Sequence, residues 1–112
     1  MTTLSVSIRD RRTAGPPPGE SVTVAVAGEL DIATAPRFSA RLGELVRRGC
    51  PRELVIDLSG LSFIDATGLR ALTELRLRVE QQQGVLVLTG VPAQMRRVIQ
   101  LIGPTRRFRI AE

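Results

Sequence analysis

Histidine is absent from the 112 residues of the chain. Because histidine is the commonest general base and the commonest zinc ligand, its absence removes the usual parts of catalytic triads and transition-metal sites. Cys50 is the only cysteine, which excludes an internal disulfide, and nothing around it indicates an activated thiol. We therefore expect a protein that is not an enzyme and that needs neither a metal nor a cofactor.

Aromatic side chains are scarce, and lysine is missing altogether. The three aromatics are Phe38, Phe63 and Phe108, too few to form a stacking platform for single-stranded nucleic acid. The net charge is +5, and all 16 basic residues are arginines, eight of which form four short scattered pairs. Solvated helix faces explain such pairs, so we expect no nucleic-acid partner. A basic surface suits an acidic protein partner equally well.

Long apolar runs are also lacking. No run approaches the roughly 18 residues that a membrane helix needs, so no membrane partner is expected. Residues 1–6 show no basic region followed by an apolar block, which argues against a signal peptide and for a cytoplasmic protein. A length of 112 residues suits one hydrophobic core, and we expect residues 1–112 to form a single domain.

The apolar pattern predicts alternating strands and helices. Strands are expected at residues 4–10, 21–27, 53–58 and 85–89, with a short edge strand at 108–110. Helices are expected to begin after Thr34, Asp65 and Pro92, the third ending at residues 103–104. The order ββαβαβα(β) predicts an α/β fold, in which an opening hairpin joins a mixed, mostly parallel sheet of four to five strands with about three helices.

Burial is predicted from the same pattern. The strands at residues 53–58 and 85–89 are mostly apolar, and we expect both of their faces to be covered. Residues 61–64 are expected to be buried by composition, and Asp57 is expected to close the third strand.

The most informative segment is FIDATGL at residues 63–69. Asp65 is placed to accept a hydrogen bond from the Gly68 N–H and so to cap the second helix. The free N–H groups and the positive dipole end of such a helix can host an anion, including a phosphate on a nearby hydroxyl. Thr67 carries the hydroxyl. A capped helix without any further role explains the local pattern as well.

Three motifs together resemble a known family. They are GELD at residues 28–31 before TAP at 34–36, VIDL at 55–58, and FIDATGL at 63–69. They are similar to the sulfate transporter and anti-sigma factor antagonist (STAS) domain, most closely to its stand-alone bacterial members, from residue 4 to about residue 110. The resemblance implies that the chain binds an anti-sigma factor that is also a serine kinase, and so frees a sigma factor. It also implies that phosphorylation by that kinase breaks the complex and that a phosphatase resets it.

The resemblance also implies a partner-binding surface at two helix starts. The residues that it assigns to this surface are Asp31, Thr34, Asp65, Ala66, Thr67, Gly68 and Leu69. For Asp31, hydrogen bonding to the local backbone is an equally good interpretation. A magnesium site built from Asp31, Asp57 and Asp65 is not expected, because no glycine-rich phosphate loop accompanies them.

One position departs from the family pattern. Regulated members carry the phosphorylated serine directly after the aspartate, and here that position is Ala66, which has no hydroxyl. The chain is then either an antagonist locked in its binding-competent state, which we prefer, or one that uses Thr67 or another acceptor. Two other functions remain open: an accessory or scaffold subunit of a transport or sensory complex, and a small-molecule or nucleotide-binding domain. The sequence points to no particular oligomeric state.

Overall fold

The computed structural model describes residues 3–15, 18–101 and 108–111, without the side chains of residues 14 and 101. The elements in these ranges are β1 (Leu4–Ala14), β2 (Gly19–Leu30), α1 (Ala35–Gly49), β3 (Glu53–Ile64), α2 (Ala66–Gln81), β4 (Val85–Thr89), α3 (Ala93–Leu101) and β5 (Arg109–Ala111). The predicted α/β class and the order ββαβαβα(β) are confirmed. The predicted end of the third helix at residues 103–104 lies outside the described residues.

The five strands form one sheet in the order β1-β2-β3-β4-β5. β1 and β2 pair antiparallel, which confirms the predicted hairpin, and the other neighbours pair in parallel. Each helix joins two adjacent parallel strands in the same direction along the sheet, and right-handed crossovers of this kind place all three helices on one face. The carboxyl ends of β2, β3 and β4 therefore meet at one edge, where the helices begin.

The core lies between the sheet and the helices. Its fully buried side chains on β2 and β3 are Val22, Val24, Val26, Leu30, Leu54, Ile56 and Leu58. Its fully buried side chains on α1 and α2 are Phe38, Leu42, Val46, Leu72 and Val79. The prediction that both faces of the third strand are covered is wrong: Val55 and Asp57, which alternate with the core residues, are only half-buried. The helices cover one face alone, so these two residues on the other face of β3 keep contact with water. On β4 the expectation holds at its centre, where Leu86, Val87 and Leu88 are all buried.

β3 is longer than its apolar run predicted. It continues past Leu58 because β2 pairs with it again from Gly60 to Ile64, with a register shift on either side of the pairs at Gly60 and Leu61. Asp57 consequently lies within the strand and does not close it. The predicted burial of residues 61–64 holds for Leu61, but Phe63 is 48% exposed.

α2 is the longest helix in the described part of the chain, with 16 residues. No helix in the described ranges has the length and apolar character that a membrane-spanning segment requires.

α2 also carries a buried charge, since Arg76 is only 6% exposed. Its guanidinium carbon lies 5.2 Å from the centroid of the Phe108 ring, and its Nη1 lies 3.5 Å from the Glu80 carboxylate. This cation–π contact holds the residue before β5 against α2.

Candidate functional site

The loop between β2 and α1 is built around the side chain of Asp31. Its Oδ1 accepts hydrogen bonds from the backbone N–H groups of Ala33 at 2.9 Å and Thr34 at 3.1 Å. Its carbonyl oxygen accepts from the N–H of Ala35 at 2.8 Å, which starts α1. Asp31 is only 7% exposed, so its carboxylate shapes the loop from inside. The local-backbone interpretation of this residue matches these contacts.

Thr34 directly precedes α1, as predicted, but its side chain makes no capping bond to the helix. Its hydroxyl donates instead to the carbonyl of Glu29 at 2.7 Å and accepts from the N–H of Asp31 at 3.0 Å. The backbone of Thr34 is already in the right-handed helical region, whereas a capping side chain requires an extended residue. The predicted cap is therefore wrong, and Thr34 ties the loop back to the end of β2.

The start of α2 carries the central contact of the site. Asp65 is extended, and its Oδ1 accepts from the N–H of Gly68 at 2.9 Å, which confirms the predicted cap. Its Oδ2 accepts from the N–H of Ile32 at 3.2 Å, and its own N–H donates to the carbonyl of Leu30 at 3.3 Å. One residue therefore joins the start of α2 to the β2–α1 loop.

Gly68 allows this close approach. A Cβ atom at this position would collide with the carbonyl oxygen of Leu30 and would lie 2.9 Å from Cγ1 of Ile64. Gly68 therefore lets the first turn of α2 lie directly against the end of β2. The role is internal: Gly68 is buried, and the glycine does not present an open surface to a partner.

We call loop residues 31–34 together with residues 65–70 at the start of α2 the loop–helix face. The structure brings all of the predicted partner-binding residues together on it, but at different depths. Its buried members are Asp31, Thr34, Gly68 and Leu69, its half-buried members are Asp65 and Thr67, and its exposed member from the predicted set is Ala66. A partner can touch the last three directly, whereas the buried four hold the shape of the face.

Sequence analysis missed the most exposed large apolar side chain among the described residues. Ile32, between the buried Asp31 and the loop residue Ala33, is 73% exposed. Phe63, which lies two residues before Asp65 at the end of β3, is 48% exposed. The sequence did contain a signal for the exposure of Ile32: it is a large apolar residue among small and polar residues in a predicted loop, where no core is available to bury it.

The exposed charged side chains on and beside the loop–helix face are arginines. Neither α1 nor α2 has an acidic residue in its first turn, and both helices direct the positive end of their dipoles to this edge. Arg37 near the start of α1 and Arg70 near the start of α2 are exposed, and neither forms an ion pair with the residues described. The carboxylates of Asp31 and Asp65 are both engaged by N–H groups.

Asp57 lies on the sheet face opposite the helices, apart from the loop–helix face. Arg9, the residue at a bulge in β1, forms an ion pair with it, and the N–H of Ser59 donates to Oδ1 at 2.9 Å. Burial raises the pKa of Asp57, but the hydrogen bonds from Ser59 and the charge of Arg9 outweigh burial, so its pKa lies below the ordinary value of 3.8. Among the described residues, no cluster of three or more aspartate, glutamate, histidine or cysteine side chains is arranged to hold a metal ion.

A groove of about 350 Å³ runs between α1 and α2. The residues lining it are Ser39, Ala71, Glu74, Leu75, Leu77 and Arg78. Three of these side chains are apolar and three are polar or charged, all six come from helix bodies, and no glycine-rich phosphate loop is among them. The groove therefore lacks the backbone cradle for phosphate that a glycine-rich loop supplies in many nucleotide-binding folds.

Comparison with known proteins identifies the family. Residues 16–109 match the family described as "Mlab, STAS domain". The chain is 32% identical over 101 residues to the anti-sigma-B factor antagonist of Listeria monocytogenes, covering 89% of this chain and 82% of that protein. It is 34% identical over 90 residues to the anti-sigma-F factor antagonist RsfB of Mycobacterium tuberculosis, covering 78% and 70%.

A solved structure agrees with these relatives. The crystal structure of an anti-sigma factor antagonist from Mycobacterium paratuberculosis aligns with a TM-score of 0.77 at 27% identity, over 96% of this chain and 85% of that chain. The fold and the tied pair of helix starts therefore define a small α/β domain of the same architecture as this antagonist. The chain belongs to the STAS domain family.

Proposed function

We propose that this chain is an anti-sigma factor antagonist, which binds an anti-sigma factor through the loop–helix face and thereby releases a sigma factor. The observation that carries the proposal is the Asp65 carboxylate, which holds the start of α2 and the β2–α1 loop as one preorganised surface. The relatives described above bear the same name. Its place of action is the cytoplasm, where sigma factors work, and the chain itself performs no catalytic step.

The partner in this proposal is an anti-sigma factor of the serine-kinase type. Ala66, at the position where regulated family members carry the acceptor serine, is exposed at the start of α2 and has no hydroxyl. Thr67 is half-buried, and successive helical residues point about 100° apart, so its hydroxyl does not replace the missing one. The antagonist therefore stays in its binding-competent form, and a phosphatase has no substrate at this position.

Binding is tested with purified components. The chain is titrated by calorimetry into each anti-sigma factor of the kinase type from the organism that encodes it. We expect saturable binding to one of them and release of its sigma factor in a competition assay. Absence of binding to every such anti-sigma factor would contradict the proposal.

Matched charge variants locate the contact. Ala66→Asp places a carboxylate on the loop–helix face, whereas Ala40→Asp places one on the exposed side of α1. We expect Ala66→Asp to weaken binding about tenfold or more, because a charge desolvated without a partner in an interface is costly, and Ala40→Asp to bind like wild type. Equal effects of the two variants would place the contact elsewhere.

A second function is favoured by Ala66 itself, because a chain without the acceptor serine does not need a kinase partner. In this alternative the chain is an accessory or scaffold subunit of a transport or sensory complex. Co-purification of the tagged chain with a transporter ATPase, together with no binding to any anti-sigma factor, would favour the alternative.

A further inference from the structure

We propose that Ile32 is the apolar anchor of the loop–helix face and inserts into an apolar pocket of the anti-sigma factor whose rim is acidic. The inference rests on the proposed function and names the contact that gives it affinity. Among the exposed large apolar side chains described, Ile32 is the most exposed at 73%, against 50% for Ile8, 48% for Phe63 and 44% for Val98.

The backbone beneath Ile32 is fixed before any partner arrives. Its N–H donates to Oδ2 of Asp65 at 3.2 Å, and the residues around it are held by the Asp31 carboxylate and the Thr34 hydroxyl. An isoleucine side chain presented on a preordered loop loses little conformational entropy on binding, and its burial removes apolar surface from water. Ile32 therefore combines exposure with rigidity, as an interface anchor requires.

The charges around Ile32 indicate the chemistry of the pocket that receives it. Arg37 and Arg70 are exposed near the two helix starts, and neither is neutralised by an ion pair with a described residue. The carboxylates of Asp31 and Asp65 lie deeper, buried and half-buried respectively, and accept hydrogen bonds from backbone N–H groups of the face itself. A partner with Asp and Glu side chains around an apolar pocket complements this arrangement, and long-range attraction speeds the encounter.

Asp65 acts in this scheme as a positioning residue, because it touches the partner-facing loop through the Ile32 N–H. The same carboxylate caps α2, so the position of Ile32 is tied to the start of that helix. A change at the helix start, such as a phosphate on a serine introduced at position 66, can then displace the anchor without touching it.

The test uses the anti-sigma factor that binds the wild-type chain in the calorimetric titration. We expect Ile32→Ala to weaken binding at least about tenfold and Ile32→Asp to abolish it. Ile8→Ala, which removes the same atoms from an exposed isoleucine on β1, is the matched control and is expected to bind within about twofold of wild type. Thermal midpoints of the variants, measured alongside, establish that each one is folded.

The charge part of the inference is tested by salt dependence. Arg70→Gln is expected to lower the association rate about threefold or more at low salt and to flatten its dependence on ionic strength.

If wild type binds and Ile32→Ala binds equally well, the anchor is overturned while the proposed function stands. If wild type binds none of the anti-sigma factors, both proposals fail. If the association rate of Arg70→Gln depended on salt as strongly as that of wild type, the proposal that the pocket has an acidic rim would be overturned.

Discussion

The carboxylate of Asp65 reaches across 33 positions of sequence to accept the N–H of Ile32 at 3.2 Å. Its other oxygen caps the helix that Asp65 itself begins, through the N–H of Gly68. A single side chain thereby connects a helix start, which is a local feature, with a loop that belongs to the preceding βα unit. The stability and the shape of the loop–helix face depend on this one group.

Two substitutions at Asp65 separate its two contacts. Asp65→Ala removes both, and we expect it to lower the free energy of unfolding by about 1–2 kcal/mol, as for the loss of a helix cap. Asp65→Asn retains one carbonyl oxygen, which can still cap Gly68, while its NH₂ group can no longer accept from Ile32. We expect Asp65→Asn to cost less in urea denaturation but to speed hydrogen exchange at the Ile32 amide. If the Ile32 amide exchanged as slowly in Asp65→Asn as in wild type, the hydrogen bond to Asp65 would not be what holds the loop.

Gly68→Ala tests the close approach of α2 to β2. The added Cβ would collide with the carbonyl oxygen of Leu30, so α2 must shift, and we expect a loss of about 1–3 kcal/mol in the free energy of unfolding. Gly49→Ala is the matched control in a helix, because a Cβ there meets nothing within 4 Å. That change should be neutral or stabilise by up to about 1 kcal/mol. Equal denaturation midpoints for the two variants would contradict the packing described.

The stability contributed by Asp57 depends on pH in a defined direction. Its pKa in the folded protein is below the ordinary value of 3.8, so its contribution is present above that pH and is lost as the pH falls through the lower folded pKa. We expect Asp57→Asn to lower the free energy of unfolding by about 1 kcal/mol at pH 7, and the difference from wild type to shrink below pH 4.

Wild type and Asp57→Asn share every other titratable group, so the pH dependence of those groups cancels when the two free energies of unfolding are subtracted. Glu44, whose pKa is lowered by hydrogen bonds from Arg47 and Arg48, is present in both and cancels in the difference. If the difference in free energy of unfolding between wild type and Asp57→Asn grew towards low pH, the predicted direction of the pH dependence would be wrong.

Ala66→Ser restores the hydroxyl at the acceptor position of regulated family members. With the anti-sigma factor kinase and ATP, we expect wild type to remain unmodified and Ala66→Ser to incorporate phosphate, measured by intact-mass spectrometry. The phosphate adds nearly two negative charges beside Asp65 and should weaken the complex. Ala40→Ser, which adds an exposed serine on α1, should remain unmodified. Phosphate on Thr67 of the wild type would overturn the interpretation of a non-phosphorylatable antagonist.

Local features of this protein were accessible from the sequence. The strand and helix order follows from apolar periodicity, and the cap of α2 follows from an aspartate placed three residues before a glycine. Both depend on neighbours within a few positions, which the sequence states directly. The exposure of Ala66 at a helix start was predictable for the same reason.

Tertiary structure decided which of the predicted site residues a partner can touch. The burial of Asp31 and Gly68, the exposure of Ile32 and the length of β3 all depend on how β2 and β3 align, and these strands are joined through α1. The sequence by itself determined the strand and helix order and, through its resemblance to the family, implied a surface at two helix starts. Only the parallel register brought Asp65 within hydrogen-bonding distance of Ile32, because contacts between residues so distant along the chain are set by packing and not by local propensity.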